Sequence, residues 1–279
     1  MPTDPSERRL EPLWSELRLR PQRDLGGGHQ SRVVLATGPD GPVVVKLDPE
    51  ERVDTAFRSR IELSRRAAAL DDAVTGPIEM PAGWVTTAAG FAAVCYPYVE
   101  GTSPDTSHRA DVERMGTTLA SLHRTLASIE LPALPPTTAL AGAGPPGDHD
   151  QPLHGDFGAP NLLTTTDGLR IIDFGDAGTG SIAFELGNSL YLDLFDSWVA
   201  GDPERHGRFR TWFLDAYAER AGRGIDTDLV NEATRIRMET LRRWLDQPDQ
   251  APPGIRGATP AWHGRLRSFL SDAPAMIDP

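Results

Sequence analysis

Two carboxylates, one carboxamide and one ammonium stand out in this sequence for the chemistry their spacing allows. Asp156 lies in His154-Gly155-Asp156-Phe157-Gly158-Ala159-Pro160-Asn161, and Asp173 ends the short apolar run Ile171-Ile172 just before Phe174-Gly175. Phosphoryl transfer from a nucleotide needs a carboxylate to orient and deprotonate the attacking hydroxyl. It also needs hard oxygen ligands that hold Mg²⁺ against the phosphates. Asp156 suits the first task, and Asn161 with Asp173 suits the second. Lysine occurs once in the chain, at Lys46, among 28 lysines and arginines. A compact ammonium kept at the end of Val43-Val44-Val45, in a chain that otherwise uses arginine, marks a place where the two cations are not interchangeable.

These groups need elements to bring them together. Leu162–Thr165 and Leu169–Asp173 read as two short strands around the turn Asp167-Gly168. Such a hairpin folds Asp173 back toward Asn161, so that both reach one ion. Upstream, Leu25-Gly26-Gly27-Gly28-His29-Gln30-Ser31 is followed by the apolar Val33-Val34-Leu35, the turn Pro39-Asp40-Gly41-Pro42 and the strand Val43–Leu47. Glycines there would let backbone N–H groups approach phosphates without side-chain clash. The loop is not a Walker A motif, because no Gly-Lys-Ser/Thr follows it.

The pattern His-Gly-Asp-x-x-x-x-Asn followed by Ile-Asp-Phe-Gly resembles that of the aminoglycoside phosphotransferase/choline kinase-like family, relatives of the protein kinases. Gly155 stands where protein kinases carry Arg, which favours the small-molecule branch. The resemblance spans about residues 21–200 and implies an α+β, two-lobed protein-kinase-like fold. A small sheet-rich N-lobe would cover residues 1–99, and a larger helical C-lobe residues 102–279. Tyr96-Pro97-Tyr98-Val99-Glu100-Gly101 is similar to the family's inter-lobe hinge, about 96–101. Pro97 would offer its carbonyl and Val99 its N–H to the nucleotide base. Gly26, Gly27, Gly28 and Ser31 would cover the phosphates, Lys46 would hold them, and Glu62 is the candidate partner of Lys46. Asp156 would be the catalytic base, with Asn161 and Asp173 as Mg²⁺ ligands and ATP or GTP as co-substrate. His154 would brace the loop, and Glu185 stands where the family commonly has Asp.

Periodicity supplies the helices. Val112, Met115, Leu119, Leu122 and Leu126 form one apolar stripe, with His123 read as structural. Residues 131–151 are rich in Pro, Ala and Gly and read as a loop; His149 between Asp148 and Asp150 is a weak metal pattern. Ile182–Ala200 reads as a buried helix whose polar positions Glu185, Ser189, Asp193 and Asp196 share a face. If that face lines the cleft, Asp193 and Asp196 would receive cationic groups of a substrate; otherwise it is a solvated stripe.

Net charge of −12 argues against nucleic acid or anionic membranes as partners. It is compatible with a cationic small molecule, as with mere solubility. The single cysteine, Cys95, excludes an internal disulfide and Cys-x-x-Cys zinc spacing. With no apolar run of membrane length and a polar N-terminus, the expected location is cytoplasmic. The expected activity is O-phosphorylation of a small cationic antibiotic, either an aminoglycoside or a basic peptide of the capreomycin and viomycin kind. The alternatives are a metabolic kinase for homoserine, choline or a sugar amine, and a nucleotide-binding pseudokinase.

Overall fold

The computed structural model describes residues 9–26, 31–131, 134–137 and 150–273. Its N-terminal part is a five-stranded antiparallel sheet in the order β1-β2-β3-β5-β4. The strands are β1 (Arg20–Gly26), β2 (Arg32–Gly38), β3 (Gly41–Pro49), β4 (Thr86–Ala88) and β5 (Phe91–Pro97). Alternation along the strands divides its two faces. Val34, Ala36, Val45, Leu47, Ala93 and Cys95 are buried against a short helix α1 (Glu11–Leu17), which adds Leu13, Trp14 and Leu17 to the same core. The other face carries Val33, Val44, Lys46 and Tyr96 toward the helical part.

Between β3 and β4 runs α2 (Thr55–Leu70). Asp54 caps its first turn by accepting from the Phe57 N–H at 2.7 Å. Leu63 and Ala67 of α2 pack into the core of the helical part rather than into the sheet core. That core is built on α3 (Arg109–Ala127), whose predicted stripe Val112, Met115, Leu119, Leu122 and Leu126 is buried throughout. Helix α5 (Pro203–Ala221) crosses α3 at Gly116, where a Cβ would stand 2.3 Å from the Phe213 carbonyl oxygen. The crossing needs that glycine, because any side chain would push the helices apart.

A second pair packs the same way. Helix α4 (Ile182–Ala200) has the predicted bounds, opening on the Ser181 cap and closing on Gly201 in the left-handed conformation. It meets α6 (Thr227–Asp246) at Gly187, where a Cβ would lie 2.8 Å from Ala233 Cβ and 2.9 Å from the Thr234 nitrogen. The short helix α7 (Pro253–Arg256) and α8 (Pro260–Asp272) follow, and Leu266, Phe269 and Leu270 of α8 complete a core with Leu241 and Trp244. No helix among the described residues is long and apolar enough to cross a membrane.

The segments that carry Asp156 and Asp173 lie between these parts. β6 (Gln151–Leu153) pairs with β9 (Gly178–Gly180), and β7 (Leu162–Thr165) pairs with β8 (Gly168–Ile171) in the predicted hairpin, Leu162 opposite Ile171. The hairpin is tied on both sides: Thr102 and Thr164 exchange backbone hydrogen bonds, and Thr75 N–H donates to the Ile171 carbonyl at 2.8 Å. Gly101 permits the first approach, since a Cβ there would meet the Thr164 oxygen at 2.7 Å.

Candidate active site

A cavity of about 510 Å³ lies between the sheet and the hairpin. Val33 and Val44 form its roof, Leu163 and Ile172 its floor, and Tyr96–Val99 with Gly101 its back wall. Lys46 and Asp173 meet in it, and Asn161 lines it as well. Two apolar walls, a strip of extended backbone and a charged pair suit a nucleotide lying base inward with its phosphates at Lys46. Gly26, Lys46, Pro97, Val99, Asn161 and Asp173, all picked from sequence, line this one cavity. Val33, Val44, Tyr96, Leu163 and Ile172 were not picked, although strand alternation from Lys46 and from the hairpin places them.

Lys46 Nζ donates to Asp173 Oδ1 at 2.6 Å. Burial opposes the charge of Lys46, but Asp173, helped by Asp48 and Asp176, outweighs it and raises the ammonium above its ordinary range. Burial likewise opposes ionisation of Asp173, and the Lys46 charge overrides it, so Asp173 is held below its ordinary range. The backbone of Asp173 has φ 61°, a left-handed conformation that a non-glycine residue adopts at a cost. That turn aims the carboxylate into the cavity, where the Gly175 N–H donates to it at 3.0 Å.

Asn161 Nδ2 donates to both the carbonyl and Oδ2 of Asp156, at 2.8 and 2.9 Å. The amide oxygen of Asn161 is thereby left for another partner. Among the described residues no group of three or more His, Cys, Asp or Glu is placed to hold a metal ion. An amide oxygen and a carboxylate in one cavity are instead the donor set of Mg²⁺, which keeps waters and takes its remaining ligands from phosphates. The residues fit that ion. Burial first, and the Asp176 charge second, hold the Asp156 carboxyl above its ordinary range.

His154 joins the two segments, as its bracing role requires. Its Nδ1 accepts from the Asp156 N–H at 3.3 Å, so its Nε2 is the protonated nitrogen and donates to the Ile172 carbonyl at 2.9 Å. Its ring packs on Phe174 with centroids 4.6 Å apart. Glu185 holds the loop from below. Its carboxylate accepts from the N–H groups of His154 at 3.2 Å and Gly155 at 2.5 Å, and from His123 Nε2 at 2.8 Å. His123, in turn, meets the Tyr217 hydroxyl at 2.7 Å. The longer Glu arm therefore keeps the contact expected of Asp. Gly155 itself has φ +85°, and a Cβ there would stand 2.1 Å from the Asp176 carbonyl oxygen. The loop accepts only glycine at that point.

Two expectations, for Glu62 and Asp193, are corrected, and Ser31 lies in a neighbouring cavity. Glu62 does not meet Lys46: its carboxylate pairs with Arg65 at 2.7 Å and Arg66 at 2.6 Å, one turn along its own helix. These two arginines, Arg65 first, bring its pKa to about 2 against the cost of burial. Helix α2 turns Phe57, Arg60 and Ile61 toward Lys46 instead, around a second cavity of about 260 Å³. Ser31 lines that second cavity, and its hydroxyl donates to Asp48 at 2.6 Å. Asp48, two residues after Lys46 on β3, is the carboxylate that the alternation of a strand could have identified. Asp193 is buried rather than open to the cleft, paired with His206 at 2.9 Å and Arg205 at 3.7 Å. Its partners come from α5, which covers the polar face of α4. Asp196 is exposed, one turn beyond Leu192, against which Gly158 packs. Gly27, Gly28, Asp148 and His149 lie outside the described residues.

Comparison with known proteins gives a consistent frame. The model of the phosphotransferase enzyme family (APH) matches residues 21–147 and 131–223. No curated protein matches the sequence. Among solved structures, an amicoumacin kinase in complex with AMP-PNP and Ca²⁺ superposes with a TM-score of 0.71 at 14% identity, over 98% of this chain and 95% of that one. A microcompartment-associated aminopropanol kinase superposes with a TM-score of 0.71 at 15% identity, over 99% and 97%. A choline kinase from Cryptosporidium parvum gives 0.62 at 11% identity, over 95% and 91%. At these identities the likeness is one of fold: sheet-rich N-terminal part, helical C-terminal part and a cleft between.

Proposed function

The chain belongs to the phosphotransferase enzyme family, and from that premise we propose that it transfers the γ-phosphoryl group of a Mg²⁺-bound nucleotide to a hydroxyl of a small molecule. The observation that carries this reading is the convergence of Lys46, Asn161 and Asp173 in the 510 Å³ cavity, with Asn161 bonded to Asp156.

Each residue then has a task. Val33, Val44, Leu163 and Ile172 enclose the base, and Pro97 and Val99 present backbone groups to its edge. Lys46 exchanges Asp173 for the phosphates when nucleotide enters. Asn161 and Asp173 would hold Mg²⁺, which would supply charge neutralisation at the phosphate oxygens. Asp156 orients the acceptor hydroxyl and takes its proton, with the Asn161 amide fixing the carboxylate. Because the transition state is largely dissociative, alignment and charge neutralisation matter more than base strength. A raised Asp156 pKa is compatible with this, since the carboxylate has only to be ionised at neutral pH. An intact set of Lys46, Asp156, Asn161 and Asp173 weighs against a pseudokinase.

For the acceptor we favour a cationic antibiotic. The net charge of −12, Asp176 near Asp156 and the exposed Asp196 support a substrate carrying amines. Asp193 no longer contributes, being already paired inside the protein. A metabolic amino alcohol is the second reading, favoured by the fold likeness to the aminopropanol kinase.

A panel separates them: ADP and GDP release from ATP and GTP with Mg²⁺, over aminoglycosides, tuberactinomycin-type peptides, choline, homoserine and aminopropanol. The expected outcome is acceptor-dependent release with an antibiotic. Release with an amino alcohol alone would assign the protein to metabolism. Release that no acceptor stimulates would contradict both.

A further inference from the structure

Arg237 belongs to no motif and sits on α6, yet it is wired to the loop that carries Asp156. Its guanidinium lies between two rings, 5.5 Å from the centroid of Tyr191 and 5.5 Å from that of Trp244. Its Nε donates to Asn188 Oδ1 at 2.9 Å, and Asn188 Nδ2 donates to the Gly155 carbonyl at 3.4 Å. That carbonyl belongs to the peptide entering Asp156. The close crossing of α4 and α6 at Gly187 is what lets Arg237 reach Asn188. Its Nη1 is buried and has no hydrogen-bond partner among the described residues.

A half-buried guanidinium whose Nη1 is buried with an open donor is an expensive way to fill space, and Leu or Met would fill it better. The group therefore needs a reason. The segment Asp156–Asn161 contains no Lys or Arg of its own. The hydrogen bond to Asn188 is what the guanidinium supplies there.

We propose that Arg237 is a positioning residue of the acceptor side, fixing the Gly155–Asp156 backbone through Asn188. It rests on the phosphotransferase reading and adds a residue that acts on the transfer step, not on nucleotide binding. Asn188, Tyr191 and Trp244 are the parts that hold it in place.

The test uses the full chain with Mg²⁺-nucleotide and the acceptor found by the panel, or water where none is found. Turnover, nucleotide KM and Tm are measured for wild type, Asp156→Asn, Arg237→Met, Arg237→Lys, Asn188→Leu and the Arg237→Met/Asn188→Leu double variant. Arg237→Met should lower kcat by about 10- to 100-fold, the scale of a misplaced reacting group, with nucleotide KM unchanged. Arg237→Lys should recover part of the loss, because its ammonium can still donate to Asn188. Asn188→Leu should lower kcat too, and the double variant should be no worse than the poorer single one. Wild-type kcat in Arg237→Met, a loss that follows Tm, or Lys no better than Met overturns the proposal while the kinase reading stands. An Asp156→Asn variant as active as wild type, or a wild type without turnover, overturns the kinase reading and this inference with it.

Discussion

Replacing Asp156 with Asn will remove the transfer reaction and leave nucleotide binding intact. The amide has nearly the shape of the carboxylate and can still bond to Asn161, so the loop keeps its form. What is lost is the acceptor of the hydroxyl proton, a contribution of about 10²- to 10⁴-fold in general base catalysis. The groups that hold nucleotide are untouched: Lys46 remains at Asp173, and the walls of the cavity come from the sheet, the hinge and the hairpin. A fall in kcat by that factor, with unchanged nucleotide affinity in a fluorescence titration, is the expected outcome. Lys46→Met should show the opposite emphasis, weakening nucleotide binding by removing the one ammonium at the phosphates. A matching loss of affinity in Asp156→Asn would mean that Asp156 serves the nucleotide and not the acceptor.

Glu185→Leu should produce a large loss of stability. The carboxylate is fully buried and gathers His123 and the N–H groups of His154 and Gly155. Breaking a buried charged pair by removing one partner costs about 3–5 kcal/mol. Here two backbone donors are also left without an acceptor. Urea unfolding should show that loss, and Glu185→Gln, which keeps one acceptor oxygen, should lose less. The pH dependence has a definite sign. Burial opposes ionisation of Glu185, but His123 outweighs it and holds the carboxyl below its ordinary range. A carboxyl depressed in the folded state stabilises fully above its unfolded pKa of about 4.3, and that stabilisation fades as pH falls toward the folded value. The gap between wild type and Glu185→Leu should therefore narrow in acid. A gap that stays constant there would show that packing, not the charge, is what Glu185 supplies.

The readable part of this molecule is the part whose geometry is local. The hairpin between Asn161 and Asp173 is encoded by alternation around Asp167-Gly168, and the structure pairs Leu162 with Ile171 as that register requires. The helix Arg109–Ala127 carries its own periodicity, and the helix Ile182–Ala200 its own caps at Ser181 and Gly201. Lys46 was legible because composition isolates it. The failures concern rotation and neighbours. Residues 55–70 are plainly helical, but which residue faces Lys46 depends on how the helix is rolled about its axis, and the roll is set by Leu63 and Ala67 docking in the helical core. Glu62 thus falls to one side with its arginines. The polar stripe of α4 was read as a cleft wall or a solvated face. At Asp193 it is neither, because His206 and Arg205 arrive from the next helix to pair with it. Arg237 had no local signal at all, since its importance comes from a helix crossing made possible by Gly187.

The most direct test follows the label. Nucleotide labelled in the γ-phosphate is incubated with Mg²⁺, the pooled acceptors and either wild-type protein or Asp156→Asn, and the labelled products are separated. The structure predicts label in an organic phosphate ester with wild type and none with the variant, while both proteins bind nucleotide. Label that stays on the nucleotide, or reaches acceptor equally well with Asp156→Asn, would contradict the assignment of this cavity as a phosphotransferase site.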